Sequence, residues 1–356
     1  MRNENRASFS CPGASRRDFL KSLAAIGGGA LLSASGRMGR QNPSSSAGPK
    51  VGRIDIHNHY MPPSVTQALG AKRVGVMANW TPATALEEMD GSGVSAVITS
   101  IAPAGGILGD PSTAVRLSRE CNEYAARLVV DHPGRFGMFA MTPLLNIDAA
   151  LAEVAYAFDM LKADGVCLYT SYGDKWLGDP AFDPLFEELN RRRAVVHVHP
   201  QTANCCKNLL PDVAEGAIEW GTDTTRAIAQ MIFGGAAARY PNVRMIWSHG
   251  GGTMPFLVER FVNMAKAPAL APKFPQGFVG AAARFYYDTA QVANPAAMSA
   301  LSKVVPLSQI VFGTDYPFRT TADHVKGLEE CGVFSARDLQ LIDYENALPL
   351  LPRFQA

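Results

Sequence analysis

The chain has 356 residues, 47% of them hydrophobic, enough for one large domain with a sizeable core or for two ordinary ones. Its 33 basic and 32 acidic residues almost cancel. That balance argues against nucleic acid or an anionic membrane surface as the main partner, since both require a basic excess; charge on a ligand has to be met locally.

The first segment reads as an address. Ser15-Arg16-Arg17-Asp18-Phe19-Leu20-Lys21 is a twin-arginine pattern ahead of the apolar, Ala- and Gly-rich run Leu23 to Leu32. That run is too short to span a bilayer as a mature helix, so no stable membrane insertion is expected. Residues 1–35 are predicted to be a signal peptide for the bacterial twin-arginine export machinery, and the Ser/Pro/Gly-rich residues 36–50 a flexible tether. The expected location is the periplasm or beyond. Cys11 would leave with the signal, and the remaining cysteines show no CxxC spacing or disulfide framework. The adjacent Cys205-Cys206 pair reads as part of a loop or pocket.

Residues 51–356 alternate between two periodicities. Apolar, β-branched runs at Arg53–His57, Val94–Ile101, Arg135–Met141, Gly165–Tyr169, Ala194–His199, Val243–Ser248, Arg284–Asp288 and Gln309–Thr314 predict eight strands. Helical patterns fall between them at Ser118–Val130, Ala149–Lys162, Pro184–Arg193, Thr224–Tyr240 and Pro255–Ala265, with Gly or Pro at most joints. Eight such units predict an α/β fold, the (β/α)8 TIM barrel, with its chemistry at the carboxyl ends of the strands. An open doubly wound sheet fits less well, because groups from the first and last strands have to meet.

Those groups are histidines and one acid. Asp55-Ile56-His57-Asn58-His59 closes the first strand, and residues two apart on a strand share a face, so His57 and His59 can hold one ion together. His197-Val198-His199-Pro200, Trp247-Ser248-His249-Gly250 and Gly313-Thr314-Asp315-Tyr316 end later strands. Three imidazoles and a carboxylate suit a divalent metal acting as a Lewis acid. His249 reads either as a ligand or as an acid–base group. Gly250-Gly251-Gly252 has neither phosphate-loop spacing and reads as a close backbone approach. His132 and His324 read as ordinary structural histidines.

At these residues the sequence resembles the amidohydrolase superfamily, in its decarboxylase-like branch, amidohydrolase family 2. The likeness runs from Val51 to Arg353. It rests on Arg53 to Pro63, Leu177-Gly178-Asp179-Pro180, Phe182-Asp183-Pro184-Leu185, Cys205-Cys206, Asp223-Thr224-Thr225-Arg226, Ser248 to Thr253 and Asn346-Ala347-Leu348. The resemblance implies that His57, His59, His199 and Asp315 bind one divalent ion, zinc or else manganese, with His249 beside it. It also implies that Arg260 reaches a neighbouring subunit's site, and hence a homodimer with a small aromatic carboxylate as substrate. His197 departs from the branch, where an apolar or aromatic residue is usual; it is either a support for the ligands or a competing ligand. Gly165-Val166-Cys167-Leu168-Tyr169 offers no lysine to carry a bridging carbamate, which favours a single metal.

The activity implied is non-oxidative decarboxylation of an aromatic 2-hydroxy acid of the 6-methylsalicylate type, with His249 and Asp315 catalytic and Arg260 pairing with a substrate carboxylate. The alternative is hydrolysis of a lactone or amide by the same ligands, the ion lowering the pKa of a water and Asp315 acting as base. A narrow aromatic pocket would mark the decarboxylase, with Tyr60, Trp80, Tyr169 and Phe318 as candidates. A binding or metal-storage protein that kept the barrel is a third, less favoured reading.

Overall fold

The computed structural model describes residues 52–69, 75–102 and 110–355, all within the compact unit Lys50–Ala356. The expected signal peptide and tether lie outside the described residues.

Eight strands form one sheet: β1 (Arg53–His59), β2 (Val94–Ser100), β3 (Phe136–Met141), β4 (Gly165–Tyr169), β5 (Val195–His199), β6 (Arg244–Trp247), β7 (Tyr286–Asp288) and β8 (Ile310–Val311). They pair in chain order and always in parallel. The main intervening helices are α1 (Pro63–Leu69), α2 (Pro82–Ser92), α3 (Pro111–Asp131), α4 (Ile147–Asp159), α5 (Asp183–Arg192), α6 (Glu215–Phe233), α7 (Met254–Ala265), α8 (Pro295–Val304) and α9 (Thr321–Glu330).

Local chemistry sets these boundaries. Thr81 caps α2 by accepting from the Thr84 N–H, and Gly93, at φ 67°, ends the helix in the left-handed conformation and feeds straight into β2. Asp110 and Asn146 cap α3 and α4 in the same way. In α3, Leu117, Cys121, Ala125 and Leu128 recur at helical spacing and are all buried, so one stripe faces the sheet.

Two apolar layers result. One fills the space between strands and helices. The other takes Ile54, Ile56, Ile98, Phe139, Cys167, Val195, Ile246 and Val311 from seven of the eight strands, and Ala347, Leu350 and Leu351 plug it. That second cluster is the barrel interior.

Closure is irregular. β8 is only two residues long, and the join to β1 is made mostly by the segment that follows it. The Ile56 N–H donates to the Phe312 carbonyl at 3.0 Å, the Asp315 N–H to the His57 carbonyl at 2.8 Å and the His59 N–H to the Tyr316 carbonyl at 2.9 Å. β1 also shifts register against β2 between Asp55 and Asn58. A bulge there re-aims the side chains beyond it, which lets Ile54 and Ile56 fill the interior below while His57 and His59 turn inward above.

Candidate metal centre

The carboxyl ends of β1, β5 and β6 and the segment after β8 bring five of the predicted residues together. His59 Nε2 lies 2.9 Å from Asp315 Oδ1 and 3.2 Å from His57 Nε2. His57 Nε2 and His199 Nε2 lie 3.3 and 3.9 Å from the same carboxylate oxygen. His249 Nε2 is 3.4 Å from the other oxygen, Oδ2. Ligand atoms of His57, His199, His249 and Asp315 all fall within 4.8 Å of one another, with His59 adjoining through its two short contacts.

A test of fit comes from the far side of each ring. His57 Nδ1 donates to Asp288 Oδ2 at 2.8 Å, His199 Nδ1 to the Pro200 carbonyl at 2.7 Å, and His59 Nδ1 lies 3.3 Å from the Ser100 carbonyl. Each Nδ1 proton therefore has an acceptor, which leaves every Nε2 lone pair facing the centre. His199 Nε2 and His249 Nε2 are buried and have no hydrogen-bond partner among the described residues. A buried nitrogen is rarely left so, and these two point at the same carboxylate. The donor set of imidazole nitrogens and one carboxylate oxygen fits a single divalent ion.

Electrostatics agree. Burial alone would raise the pKa of Asp315, but the imidazoles of His57, His199 and His249 outweigh it and hold the carboxyl well below its usual value. Burial lowers His59 and pushes His199 well below the ordinary histidine value. For His57 burial also opposes charge, yet Asp288 and Asp315 on either side raise its pKa to about 10. The two carboxylates thus favour positive charge at this point.

Asp288, which sequence reasoning passed over, organises this shell. One oxygen takes His57 Nδ1 and, at 3.2 Å, His197 Nε2; the other accepts the backbone N–H groups of His249 at 2.8 Å and Ala290 at 3.1 Å. It thus links four strand ends. The signal was available, because the predicted seventh strand ended on this acid.

His197 belongs to that lower layer. It stacks on Phe139 at 5.5 Å between ring centroids and points at Asp288, and burial pulls its pKa down to about 4. Asp55 holds the closing segment in place. It accepts from Thr314 Oγ1 at 2.6 Å, the Thr314 N–H at 3.0 Å and the His57 N–H at 3.0 Å. Burial raises its pKa to about 6 against these bonds.

Above the centre lies a cleft of about 400 Å³, bordered by Trp220, His249, Gln291, Asp315 and Phe318, with Gly216, Ala217 and Gly221 leaving room along one wall. Six non-glycine described residues have positive φ, and His249 at 55°, Gln291 at 60° and Asp315 at 67° all border this cleft. Such strain persists only where surrounding structure enforces it, and it concentrates at functional sites. Gln291 Nε2 donates to Asp315 Oδ2 at 3.0 Å.

One expectation needs correcting. Of the predicted pocket aromatics only Phe318 borders this cleft. Tyr60 is buried with its hydroxyl on the Cys121 carbonyl, Trp80 packs against it, and Tyr169 donates to the Ile101 carbonyl. Trp220 lines the cleft instead. Arg260 is exposed on α7 and stands outside the cleft within one chain. The Gly250-Gly251-Gly252 expectation does hold: a Cβ on Gly252 would overlap the Gly221 carbonyl, and one on Gly251 would press on the Tyr287 ring.

A parallel barrel with imidazoles and a carboxylate converging at the carboxyl ends of its strands defines a metal-binding barrel enzyme. The chain belongs to the amidohydrolase family, whose profile matches residues 54–353. It is 36% identical over 324 residues to decarboxylase yanB of Aspergillus niger, covering 85% of this chain and 88% of that one. It is 34% identical over 320 residues to 6-methylsalicylic acid decarboxylase of Penicillium expansum, covering 86% and 98%. The fold matches that of a dihydroxybenzoic acid decarboxylase from Polaromonas sp. JS666, solved with manganese and 2-nitroresorcinol. The TM-score there is 0.73 at 19% identity, over 86% of this chain and 98% of that one. Its relatives mark this chain as a decarboxylase of the superfamily.

Proposed function

We propose that the protein removes carbon dioxide from an aromatic 2-hydroxy acid of the 6-methylsalicylate kind. His57, His59, His199 and Asp315 would hold one divalent ion, zinc or manganese, whose Lewis acidity would neutralise the substrate's carboxylate and ortho oxygen. The observation that carries the reading is the division of Asp315. Its Oδ1 faces the three histidines, whereas Oδ2 faces the cleft beside His249 and Gln291. One residue can therefore help hold the ion and also carry a proton to the substrate.

In this reading Asp315, ionised in the resting site, takes a proton from solvent once substrate is bound, and Oδ2 passes it to the ring carbon bearing the carboxyl group. The ring accepts the charge, the bond to the carboxyl carbon breaks, carbon dioxide leaves and aromaticity returns. Asp315 is left ionised, as it began. His249 orients the phenolic oxygen. The small residues beside Trp220 would leave room for a flat ring in the cleft that Phe318 also borders.

A homodimer sharing sites through Arg260 accompanies this reading. Phe256, 87% exposed, stands one turn before Arg260 on α7, and an exposed aromatic beside an arginine suits an interface. We also propose export through the twin-arginine route on the strength of residues 15–32.

The deciding experiment measures metal content of the purified protein and carbon dioxide release from a panel of hydroxybenzoates that includes 6-methylsalicylate. Stoichiometric metal and release from a 2-hydroxy acid are expected. Turnover of lactones or amides with no carbon dioxide from any acid would replace this reading with hydrolysis. Light scattering tests the dimer, and Arg16→Lys with Arg17→Lys, followed by cell fractionation, tests export.

A further inference from the structure

A second cavity lies at the opposite end of the barrel. It measures about 420 Å³, as large as the candidate substrate cleft, and is walled by Met231, Ala237, Tyr240, Met245, Phe274 and Phe285. It opens where β6 begins and just before β7, among the amino ends of strands. Volumes above about 300 Å³ with mostly apolar walls are those of small-molecule sites.

Three cations meet this wall, Arg244, Lys273 and Arg284, and no acidic residue is among the described residues that line it. None of the three has a carboxylate partner among the described residues. Arg244 donates to the carbonyls of Pro349 at 2.5 Å and Arg193 at 3.2 Å, while its Nε is buried without a partner among the described residues. Arg284 donates to the Pro241 carbonyl at 3.3 Å. Burial lowers the pKa of Arg244, with Tyr286 opposing it. Elsewhere on this surface arginines commonly find acids, as Arg192 does with Asp159 and Glu188.

We propose that this cavity is a second binding site, for a small amphipathic carboxylate whose charged head meets Arg244, Arg284 and Lys273 and whose apolar body lies against Met231, Phe274 and Phe285. Cations alone would hold a bare anion in water, and apolar walls alone would take a neutral ligand. The combination selects a single negative charge on an apolar body. Its place at the amino ends of the strands removes it from the chemistry, so the ligand is an effector or a carried molecule and is not turned over there.

The test titrates the full chain with 8-anilinonaphthalene-1-sulfonate, a fluorescent anion of this type, and displaces it with octanoate. One saturable site per chain is expected, with octanoate competing and inorganic phosphate not. Lys273→Gln with Arg284→Gln, both exposed and safe for the fold, should weaken binding at least tenfold. Ala281→Trp should fill the cavity and abolish binding, and both variants should release carbon dioxide as the parent does. Unsaturable fluorescence, no displacement by octanoate, or binding unchanged in the double variant would overturn the proposal. So would binding lost on Trp220→Ala but kept in Ala281→Trp, which would put the probe in the substrate cleft.

Discussion

Asp288→Asn separates an electrostatic support from a structural one. Asparagine matches aspartate in size, and its carbonyl can keep the two backbone bonds now made by Asp288 Oδ1, from His249 at 2.8 Å and Ala290 at 3.1 Å. Its amide nitrogen then replaces Oδ2, opposite His57 Nδ1 at 2.8 Å and His197 Nε2 at 3.2 Å. A donor there obliges His57 Nδ1 to accept, which moves the ring proton to Nε2, the nitrogen that faces the centre. The ligand loses its lone pair without moving. Loss of a carboxylate behind a ligating histidine typically weakens metal binding by about 10–100-fold. Because the substitution also reverses the tautomer, the upper end is expected, about 100-fold or ~2.7 kcal/mol. The assay is competition for zinc or manganese against a chromogenic chelator at fixed pH, with circular dichroism to confirm the fold. Metal affinity within about threefold of the parent in a folded variant would refute the reasoning, which rests on the tautomer argument of carboxylate-supported histidines.

Three further outcomes follow from the same structure. His324 is buried with Nε2 3.0 Å from Thr289 Oγ1, and burial pushes its pKa from 6.5 to about 3. The unfolded chain gains this proton below pH 6.5 and the folded chain does not, so its contribution to stability is complete above that pH and is lost as pH falls, by ~1.4 kcal/mol per unit at most. His324→Gln should therefore flatten urea unfolding between about pH 4 and 6 by nearly one proton, and an unaltered slope would count against it. Thr314→Val removes the 2.6 Å bond to the buried Asp55 carboxylate and should cost about 1–3 kcal/mol in urea unfolding; no change would mean that water replaces the hydroxyl. Gly252→Ala combines a φ of 65° with overlap on the Gly221 carbonyl and should lower Tm by several degrees, so a drop under about 2 °C would refute the packing argument.

Strand positions were legible because parallel barrel strands are short, apolar and bounded by Gly and Pro. Each of the eight predicted runs contains or overlaps an observed strand, and the metal-type motifs sit at their ends. The family resemblance added which of these residues to group. The side chains that serve the ligands were harder to see. Asp288 is one acid among many in composition, and only closure of the barrel shows that it faces His57, 231 residues away. Tyr60 adjoins His59, so its neighbour's face could have warned that it points elsewhere. Trp220 lies within a helix whose pattern, taken alone, assigns it to no particular pocket. The register shift in β1 depends on pairing with β2 and has no trace in a single strand's alternation.

The seam between β1 and the segment after β8 has a consequence for how the protein is made. His57 and His59 emerge near the start of the folded unit and Asp315 near its end, and their ligand atoms meet only across that seam. The backbone bonds that close it join the residues carrying those ligands: Asp315 to His57, and His59 to Tyr316. The full set of candidate ligands is therefore assembled last, when the ring is complete. A nascent chain stalled before Asp315 already holds His57, His59 and His199 but lacks the carboxylate that unites them. With an ion bound there, a chelator should open the barrel first at this join.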